Sequence, residues 1–284
     1  MKDTQDVGEG FSSVDLIYQC LIDEDKFNAF EKVLKKHINT ESTVLEFGTG
    51  SGILSLLSAR LGAKKVTAVE FDPYVASIAE DNIKNNKFEN VITVLNGDAR
   101  NAVFPNEKFD VVVMEMLATG LVDEMQVLAM NNLYEQNALS DKAVVIPFAQ
   151  ENYITLAQTD FSLYGFEMKM IRHLWSHDDN EDTFSSVSEK VLLNKIVFSE
   201  INKEYFESDF QFTLKEDVTV NSVCLTSKIL VDDAGLVSLE STHSLNPIVL
   251  IPLEERKYKA RDTVNLNISY KFGGGFKNFN VKYL

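Results

Sequence analysis

Three glycines near residue 50 have the spacing of a turn that binds a cofactor. Gly48, Gly50 and Gly52 occupy alternate positions directly after the apolar run of residues 43–47. Glycine lets the backbone turn sharply and approach a ligand closely, and a helix that begins after the turn directs its free N–H groups into the same space. Eighteen residues after the last glycine, Glu70 ends a second apolar run, where a carboxylate can accept both hydroxyls of a ribose. These residues predict a site for a cofactor that contains a nucleoside.

A further acidic residue narrows the class of cofactor. Asp98 follows a third apolar run, and we expect its carboxylate to accept a hydrogen bond from an adenine amino group. A dinucleotide-binding turn has the pattern G-x-G-x-x-G, but Ile53 stands where its third glycine belongs, which disfavours NAD. Together the three elements resemble the S-adenosylmethionine site of class I methyltransferases, with S-adenosylhomocysteine as the product. The resemblance implies cofactor contacts from Glu46, Gly48, Thr49, Gly50, Gly52, Glu70, Phe71, Asp98 and Ala99.

The elements that must carry these residues follow an alternating pattern. Short β-branched runs alternate with helix-length amphipathic segments up to residue 147, which predicts a parallel sheet covered by helices. After Pro147 the apolar period shortens toward two, which predicts antiparallel strands. We therefore predict an α/β protein with a helical cap at residues 1–42, a Rossmann-like methyltransferase domain at 43–147 and a β-barrel-like domain at 148–284. The predicted strands of the parallel sheet cover residues 44–47, 66–70, 91–96, 111–115 and 143–146, and helices are predicted at 53–60, from Asp72 onward, and at 120–139.

Residues 44–124 resemble a narrower family, the protein arginine methyltransferases. The run from Val44 to Leu54 matches the core of that family's first motif, and Glu115 and Glu124 have the separation of its two substrate-binding glutamates. The resemblance implies that Glu115 and Glu124 hold the guanidinium group of the substrate. Such a pair has a physical basis, because a guanidinium group stays protonated and is weakly nucleophilic. Two carboxylates can fix its plane, draw its positive charge away from the attacking nitrogen, and direct that nitrogen at the methyl group.

Two distant segments extend the resemblance. Residues 20–26 resemble a helix that covers the cofactor in the family, in which Asp23 pairs with a histidine, here His243. The resemblance implies that His243 is a proton acceptor or holds that helix over the cofactor. Lys26 stands where the family has the arginine that binds the methionine carboxylate, so we expect Lys26 to contact the cofactor.

The chain departs from the family around the substrate pocket. Met116 and Ser244 replace tryptophans, and the segment from Asp160 to Tyr164 is too short for the family's helical dimerisation arm. The sequence therefore leaves two alternatives to arginine methylation. One is a methyltransferase that acts on a small metabolite or on another protein side chain, and the other is a catalytically silent protein that binds S-adenosylmethionine. The oligomeric state is left open.

The charge and the apolar content of the sequence limit the classes of partner that the protein can bind. The net charge of −16, from 43 acidic and 27 basic residues, disfavours nucleic acid and favours a cationic protein, peptide or small molecule as the substrate. The polar segment at residues 1–10 has no signal-peptide pattern and no run is long enough to span a membrane, so we expect a cytoplasmic protein without a membrane partner. Cys20 and Cys224 are far apart, and His173 and His177 have no clear third ligand nearby, so no metal site is expected.

Overall fold

The protein was analysed as a computed structural model that describes residues 14–176 and 183–284. The N-terminal segment at residues 1–10 and His177 lie outside the described residues. The helices are α1 (Val14–Leu21), α2 (Glu24–His37), α3 (Ile53–Arg60), α4 (Pro73–Asn85) and α5 (Gln126–Glu135). The strands up to residue 147 are β1 (Thr43–Phe47), β2 (Lys65–Glu70), β3 (Ile92–Asn96), β4 (Phe109–Met114) and β5 (Leu139–Ile146).

The first half of the chain forms a five-stranded parallel sheet in the order β3-β2-β1-β4-β5. Its central strand β1 is buried from Val44 to Phe47, as expected of a strand with both faces covered. The order reverses direction beside β1, because the chain runs outward to β3 on one side and then crosses to β4 on the other. Open α/β sheets bind ligands at the carboxyl ends of the strands beside such a point. The predicted parallel sheet covered by helices is confirmed.

The helices of this half show which local signals fixed their ends. Asp72 caps α4 by accepting hydrogen bonds from the N–H groups of Tyr74 and Val75, with Pro73 at the first helical position. The predicted helix at residues 120–139 is wrong in extent, because α5 covers only Gln126–Glu135. Gly120 and Leu121 have φ angles of +73° and +53°, which a right-handed helix cannot contain, and Leu139 already belongs to β5.

The second half is antiparallel, as predicted. Its main sheet has the order β10-β6-β13-β15-β9, with β11 also paired to β6 and β14 to β13, and a second sheet has the order β12-β16-β17. The strands are β6 (Ala149–Thr159), β7 (Ser162–Leu163), β8 (Phe166–Glu167), β9 (Arg172–Leu174), β10 (Phe184–Ser186), β11 (Val191–Val197), β12 (Tyr205–Thr213), β13 (Val218–Leu230), β14 (Ser238–Leu239), β15 (Ile248–Tyr258), β16 (Thr263–Lys271) and β17 (Asn280–Tyr283).

Two features bear on the predicted partners. The short segment where a helical dimerisation arm was considered is a hairpin of β7 and β8, with Tyr164 and Phe166 exposed. The oligomeric state stays a prediction. Within residues 14–176 and 183–284, no helix is long and apolar enough to cross a membrane.

Candidate active site

A cavity of about 550 Å³ lies at the carboxyl ends of the parallel strands. This volume falls within the range of roughly 300–1,000 Å³ that is usual for small-molecule sites. The predicted site residues that line it are Lys26, Glu46, Gly48, Thr49, Gly50, Glu70, Phe71, Asp98, Ala99, Glu115 and Glu124. Gly52, Asp23 and His243 do not belong to its lining among the described residues. Residues from positions 26 to 124 therefore meet at one site.

The glycine turn, residues 48–52, is a tight backbone loop. Gly48, Gly50 and Gly52 have φ angles of +71°, +53° and +85°, a region that favours glycine. The N–H groups of Gly48 and Thr49 both donate to the carbonyl oxygen of Val69, at 3.0 and 3.1 Å. A Cβ on Gly48 would lie 2.6 Å from Cγ of Met116. The turn leaves no room for a side chain at Gly48, and Gly52 packs behind it against Ala79.

Glu70 is held at the edge of the cavity by backbone groups. Its Oε2 accepts from the N–H of Gly50 at 2.9 Å, and its Oε1 accepts from the N–H of Asp72 at 3.1 Å. The residue is only 8% exposed, yet it lines the cavity. Each carboxylate oxygen has a second acceptor position, so both can still receive hydroxyl donors. This geometry fits the ribose of a nucleoside.

Glu46 lies behind the glycine turn as a buried carboxyl. It accepts hydrogen bonds from the hydroxyls of Thr49, at 2.8 Å, and Ser55. Burial raises the pKa of Glu46 to about 7, although these hydrogen bonds favour its charged form. Glu46 thus joins β1 to the turn and to α3 within a short stretch of chain.

Asp98 has partners that the sequence interpretation did not include. Arg100 donates to both of its carboxylate oxygens, through Nε at 2.9 Å and Nη2 at 2.6 Å, and the N–H of Arg100 donates as well. Burial opposes the charge of Asp98, but these hydrogen bonds outweigh it and lower the pKa of Asp98. Arg100 itself lines the cavity. An acidic residue two positions before an arginine was the only local signal for this pair.

The β4–α5 loop, residues 115–125, brings both predicted glutamates to the cavity. Glu115 directly follows β4, and its Oε2 accepts from Nζ of Lys26 at 3.0 Å. Burial opposes the charge of Lys26, but the carboxylate of Glu115 outweighs it and raises the pKa of Lys26. The sequence predicted Lys26 as a cofactor contact and gave no signal for its pairing with Glu115. In the structure one cation connects the predicted cofactor residues to a predicted substrate residue.

Glu124 has a different electrostatic environment. Burial raises the pKa of Glu124 to about 7, and the negative charge of Glu115 adds to the shift. Asp123 beside it also has a pKa raised by burial. A cation that enters this part of the cavity would therefore favour the charged form of Glu124.

The predicted pairing of Asp23 with His243 is wrong. Asp23 accepts hydrogen bonds from the hydroxyl of Thr242 and from both the N–H and the hydroxyl of Ser244, while the ring of His243 contacts Gln19. Burial opposes the charge of Asp23, but these hydrogen bonds lower its pKa. A carboxylate is satisfied better by three donors than by one ring, so the residues on either side of the histidine join α2 to the second half.

Aromatic residues reach the cavity from the second half of the chain. Trp175, the only tryptophan of the chain, and Phe276 both line it, as do Gly274 and Gly275. The sequence noted the loss of tryptophans at Met116 and Ser244 but did not predict these aromatic residues. Within residues 14–176 and 183–284, no cluster of potential metal ligands is found.

Known proteins resemble the chain over different extents. The family described as ribosomal protein L11 methyltransferase (PrmA) matches residues 28–140. An uncharacterized protein of Methanocaldococcus jannaschii is 31% identical over 93% of this chain and 95% of its own length. A probable protein arginine N-methyltransferase 1.2 of Arabidopsis thaliana is 31% identical over 59% of this chain, and the match spans 51% of that protein.

A solved structure matches nearly the whole chain. It is the Trypanosoma brucei PRMT1 enzyme-prozyme heterotetrameric complex with AdoHcy, with a TM-score of 0.73 and 16% identity, and the match covers 97% of this chain and 98% of that chain. This likeness confirms the fold, a Rossmann-like domain followed by a barrel-like domain. The chain belongs to one family with the Methanocaldococcus jannaschii protein, and it is a class I S-adenosylmethionine-dependent methyltransferase that resembles the protein arginine methyltransferases.

Proposed function

We propose that this methyltransferase N-methylates the guanidinium group of arginine in a protein or peptide. The observation that carries the proposal is that Glu115 and Glu124 line the same cavity as the glycine turn and Glu70. The two carboxylates of the β4–α5 loop therefore lie in the same cavity as the residues that fit a nucleoside. Trp175 and Phe276 add aromatic faces to that space, which suit a flat cation.

The residues of the cavity fit S-adenosylmethionine in a defined order. Glu70 would accept the ribose hydroxyls, and Gly48 and Gly50 would let the backbone approach the ligand. Lys26 would receive the amino-acid carboxylate, because an ammonium group has three donors and Glu115 uses one of them. The cofactor, when bound, supplies a methyl group on a positively charged sulfur. The carboxylate of Asp98 already holds Arg100, and it would accept the adenine amino group only with its remaining acceptor capacity.

The two glutamates have separate tasks in this proposal. Glu115 would orient the guanidinium while Lys26 offsets its charge. Glu124, whose pKa is about 7, would bind a guanidinium in its charged form and would orient the attacking nitrogen by a second hydrogen bond. The transfer forms a bond between nitrogen and the methyl carbon as the bond from carbon to sulfur breaks, and the nitrogen then releases a proton. Glu115 and Glu124 line the water-accessible cavity into which that proton can leave.

A second candidate is supported by two observations. The L11 methyltransferase family matches residues 28–140, and Glu115 already binds a primary ammonium group, that of Lys26. Both are compatible with an amino group of another protein side chain or of a small metabolite as the methyl acceptor. The match leaves residues 141–284 unassigned, whereas the arginine methyltransferase fold covers nearly the whole chain, so we favour arginine.

The partner prediction follows from charge. A net charge of −16 favours association with a cationic protein, peptide or small molecule and disfavours nucleic acid. A cytoplasmic location remains part of the proposal.

The test measures methyl transfer from isotope-labelled S-adenosylmethionine into cell extract and into arginine-rich peptides, followed by hydrolysis and mass spectrometry. We expect labelled methylarginine with the wild type. Glu115→Gln should retain cofactor binding and lose turnover. Glu135→Gln provides a matched control, because Glu135 is an exposed residue at the end of α5 and is not part of the cavity. It should transfer at the wild-type rate.

The outcomes separate the candidates. Label in another residue or only in small molecules would contradict arginine as the acceptor and favour the second candidate. Cofactor binding without transfer to any acceptor would favour a silent binding protein. Full activity of Glu115→Gln would contradict the role of that glutamate.

A further inference from the structure

A chain of neutral polar side chains lies inside the barrel-like half, and all of its members except the half-buried Asn194 are buried. This polar network consists of Gln150, Asn152, Asn194, Ser227 and Tyr270, which come from the four strands β6, β11, β13 and β16. Asn152 donates to Oδ1 of Asn194 at 2.7 Å and accepts from the hydroxyl of Ser227 at 2.6 Å. Asn194 donates to the hydroxyl of Tyr270 at 2.8 Å. Polar groups are costly to bury, so a network of this size needs a reason.

The network ends at one peptide segment of the β4–α5 loop. The hydroxyl of Tyr270 donates to the carbonyl oxygen of Gly120 at 3.1 Å, and the N–H of Gly120 donates to the hydroxyl of Ser227 at 2.9 Å. The side chain of Gln150 donates to the carbonyl oxygen of Ala118 at 2.9 Å. Both backbone polar groups of Gly120 are therefore bound by side chains of the second half.

Neighbouring groups complete the hold on this loop. The hydroxyl of Thr119 donates to the carbonyl oxygen of Pro247 at 2.6 Å. The N–H groups of Gly273 and Gly275 donate to the carbonyl oxygens of Leu121 and Val122, at 3.0 and 2.9 Å. Every residue from 118 to 122 thus has a hydrogen bond to the second half.

The conformation of Gly120 makes the hold specific. Its φ of +73° lies in the left-handed region, and a Cβ there would lie 2.8 Å from Cδ2 of Leu225. Gly120 lies between Glu115 and Glu124 in the chain, so the direction of the backbone at this point sets where Glu124 points. Tyr270 is fully buried, and burial raises its pKa, so it remains a neutral donor.

We propose that Tyr270 and Ser227 are positioning residues for methyl transfer, which fix Glu124 relative to Glu115 through the two backbone groups of Gly120. This inference rests on the proposed function of the two glutamates. The barrel-like half then acts in the reaction through the polar network, in addition to any part it takes in substrate binding.

Two variants test the proposal in the full-length protein. Tyr270→Phe keeps the ring but removes the hydroxyl that donates to the carbonyl oxygen of Gly120. Ser227→Ala removes the hydroxyl that accepts from the N–H of Gly120. We expect kcat to fall by about ten- to a hundred-fold in each, since small misplacements of reacting groups have effects of this size. The Kd for S-adenosylmethionine should stay within about two-fold of the wild type, because the glycine turn has its own contacts.

Hydrogen exchange supplies a readout that a general loss of structure would not reproduce. The amides of residues 117–124 should exchange faster in both variants, with no change in residues 46–52. Greater access of water to Glu124 should also move the acidic limb of the pH–rate profile to lower pH. Tyr205→Phe is the matched control, because Tyr205 lies on β12 beside β16 and is 52% exposed.

The outcomes distinguish a failure of the positioning role from a failure of the proposed function. Unchanged kcat and unchanged exchange in Tyr270→Phe, with a wild type that forms methylarginine, would overturn the inference and leave the proposed function standing. Faster exchange in residues 46–52 together with weaker cofactor binding would also overturn it, because the network would then be a general structural support. A wild type that methylates no guanidinium would overturn the proposed function, and the inference with it.

Discussion

The glycine turn and the β4–α5 loop line one cavity but are held in different ways. The turn is bound by residues near it in the chain: the partners of Glu46 are three and nine residues away, and Glu70 is twenty residues from Gly50. The loop is bound by residues that are 107, 128 and 150 positions away. Local contacts can form with the parallel sheet alone, whereas the loop needs the second half of the chain. The comparison teaches that the predicted cofactor end of this site is a local structure and the proposed acceptor end is a tertiary one.

The largest effect should come from a change that breaks the local end. Gly48→Ala forces a left-handed φ on a residue with a Cβ, at a cost of about 1–2 kcal/mol, and pushes Met116 from its place. We expect the Kd for S-adenosylmethionine, measured by calorimetry, to rise by about a hundred-fold, or about 2.8 kcal/mol, because the displacement of Met116 adds to the backbone strain. Gly165→Ala is the control, because Gly165 has a φ of +80° but lies in the exposed hairpin with open space around it. Equal cofactor affinity in both variants would contradict the tight turn.

The ion pair of Lys26 and Glu115 connects the two ends of the site. Lys26→Met leaves Glu115 without its cation, and we expect the free energy of unfolding to fall by about 2 kcal/mol, less than for a fully buried pair because Glu115 is partly exposed. Chemical denaturation measures the change.

Two further variants sharpen that test. Lys26→Arg keeps the charge and should recover most of the loss. Lys35→Met removes a cation of the same helix α2 that pairs with Glu31 on the surface, and it should change stability by no more than about 0.5 kcal/mol. If Lys26→Met and Lys35→Met lowered the free energy of unfolding by the same amount, the ion pair of Lys26 and Glu115 would contribute no more to stability than a surface pair.

The pH dependence of transfer reports on the acceptor end. Burial raises the pKa of Glu124 to about 7, so under the proposed function Glu124 should bind a guanidinium group poorly at a pH below this value, where it is neutral. At saturating cofactor, kcat/KM for an arginine peptide should be about ten-fold lower at pH 6 than at pH 8. Saturation matters because Glu46, at the cofactor end, also has a pKa of about 7. Glu124→Gln should be far less active and should lack this midpoint; a flat wild-type profile would argue against a charged Glu124.

The smallest effect concerns the contact between α2 and the second half. Asp23→Asn weakens three hydrogen bonds from Thr242 and Ser244, and should lower the free energy of unfolding by about 1 kcal/mol at pH 7. The folded-state pKa of Asp23 is lowered, so its stabilisation is present above the unfolded value of about 3.9 and is lost as pH falls through the folded value. Chemical denaturation at pH 7 and at a pH below 4 measures this effect. The difference in the free energy of unfolding between the wild type and Asp23→Asn should be smaller at the lower pH.

The contact of His243 provides the contrast for that prediction. The ring of His243 contacts Gln19 and not Asp23, so Asp23→Asn should lower the free energy of unfolding by the same amount in a His243→Ala background as in the wild type. A loss of the Asp23 effect in this variant would restore the pairing that the sequence suggested.

The sequence alone predicted much of the site because its first half is organised by local rules. Alternate glycines, a strand that ends in Glu70 and the Asp72-Pro73 helix start are all signals contained within a few residues. They predicted the parallel sheet, the turn and the carboxylates around it. The resemblance to the protein arginine methyltransferases also implied that Glu115 and Glu124 share a site.

Other features required the folded chain. The helix predicted from residue 120 begins only at Gln126, because Gly120 is held in a left-handed conformation by Ser227 and Tyr270, over a hundred positions away. The pairing of Lys26 with Glu115, and the arrival of Trp175 and Phe276 at the cavity, likewise join segments with no common pattern in the sequence.

The sequence by itself determined the cofactor turn and the class of chemistry, because glycine conformations and strand ends depend on neighbouring residues. Only the tertiary structure decided how the β4–α5 loop is fixed and which cation faces Glu115. The physical reason is that hydrogen bonds and ion pairs between distant segments depend on the path of the whole backbone, and this path is set by burial of the two halves against each other.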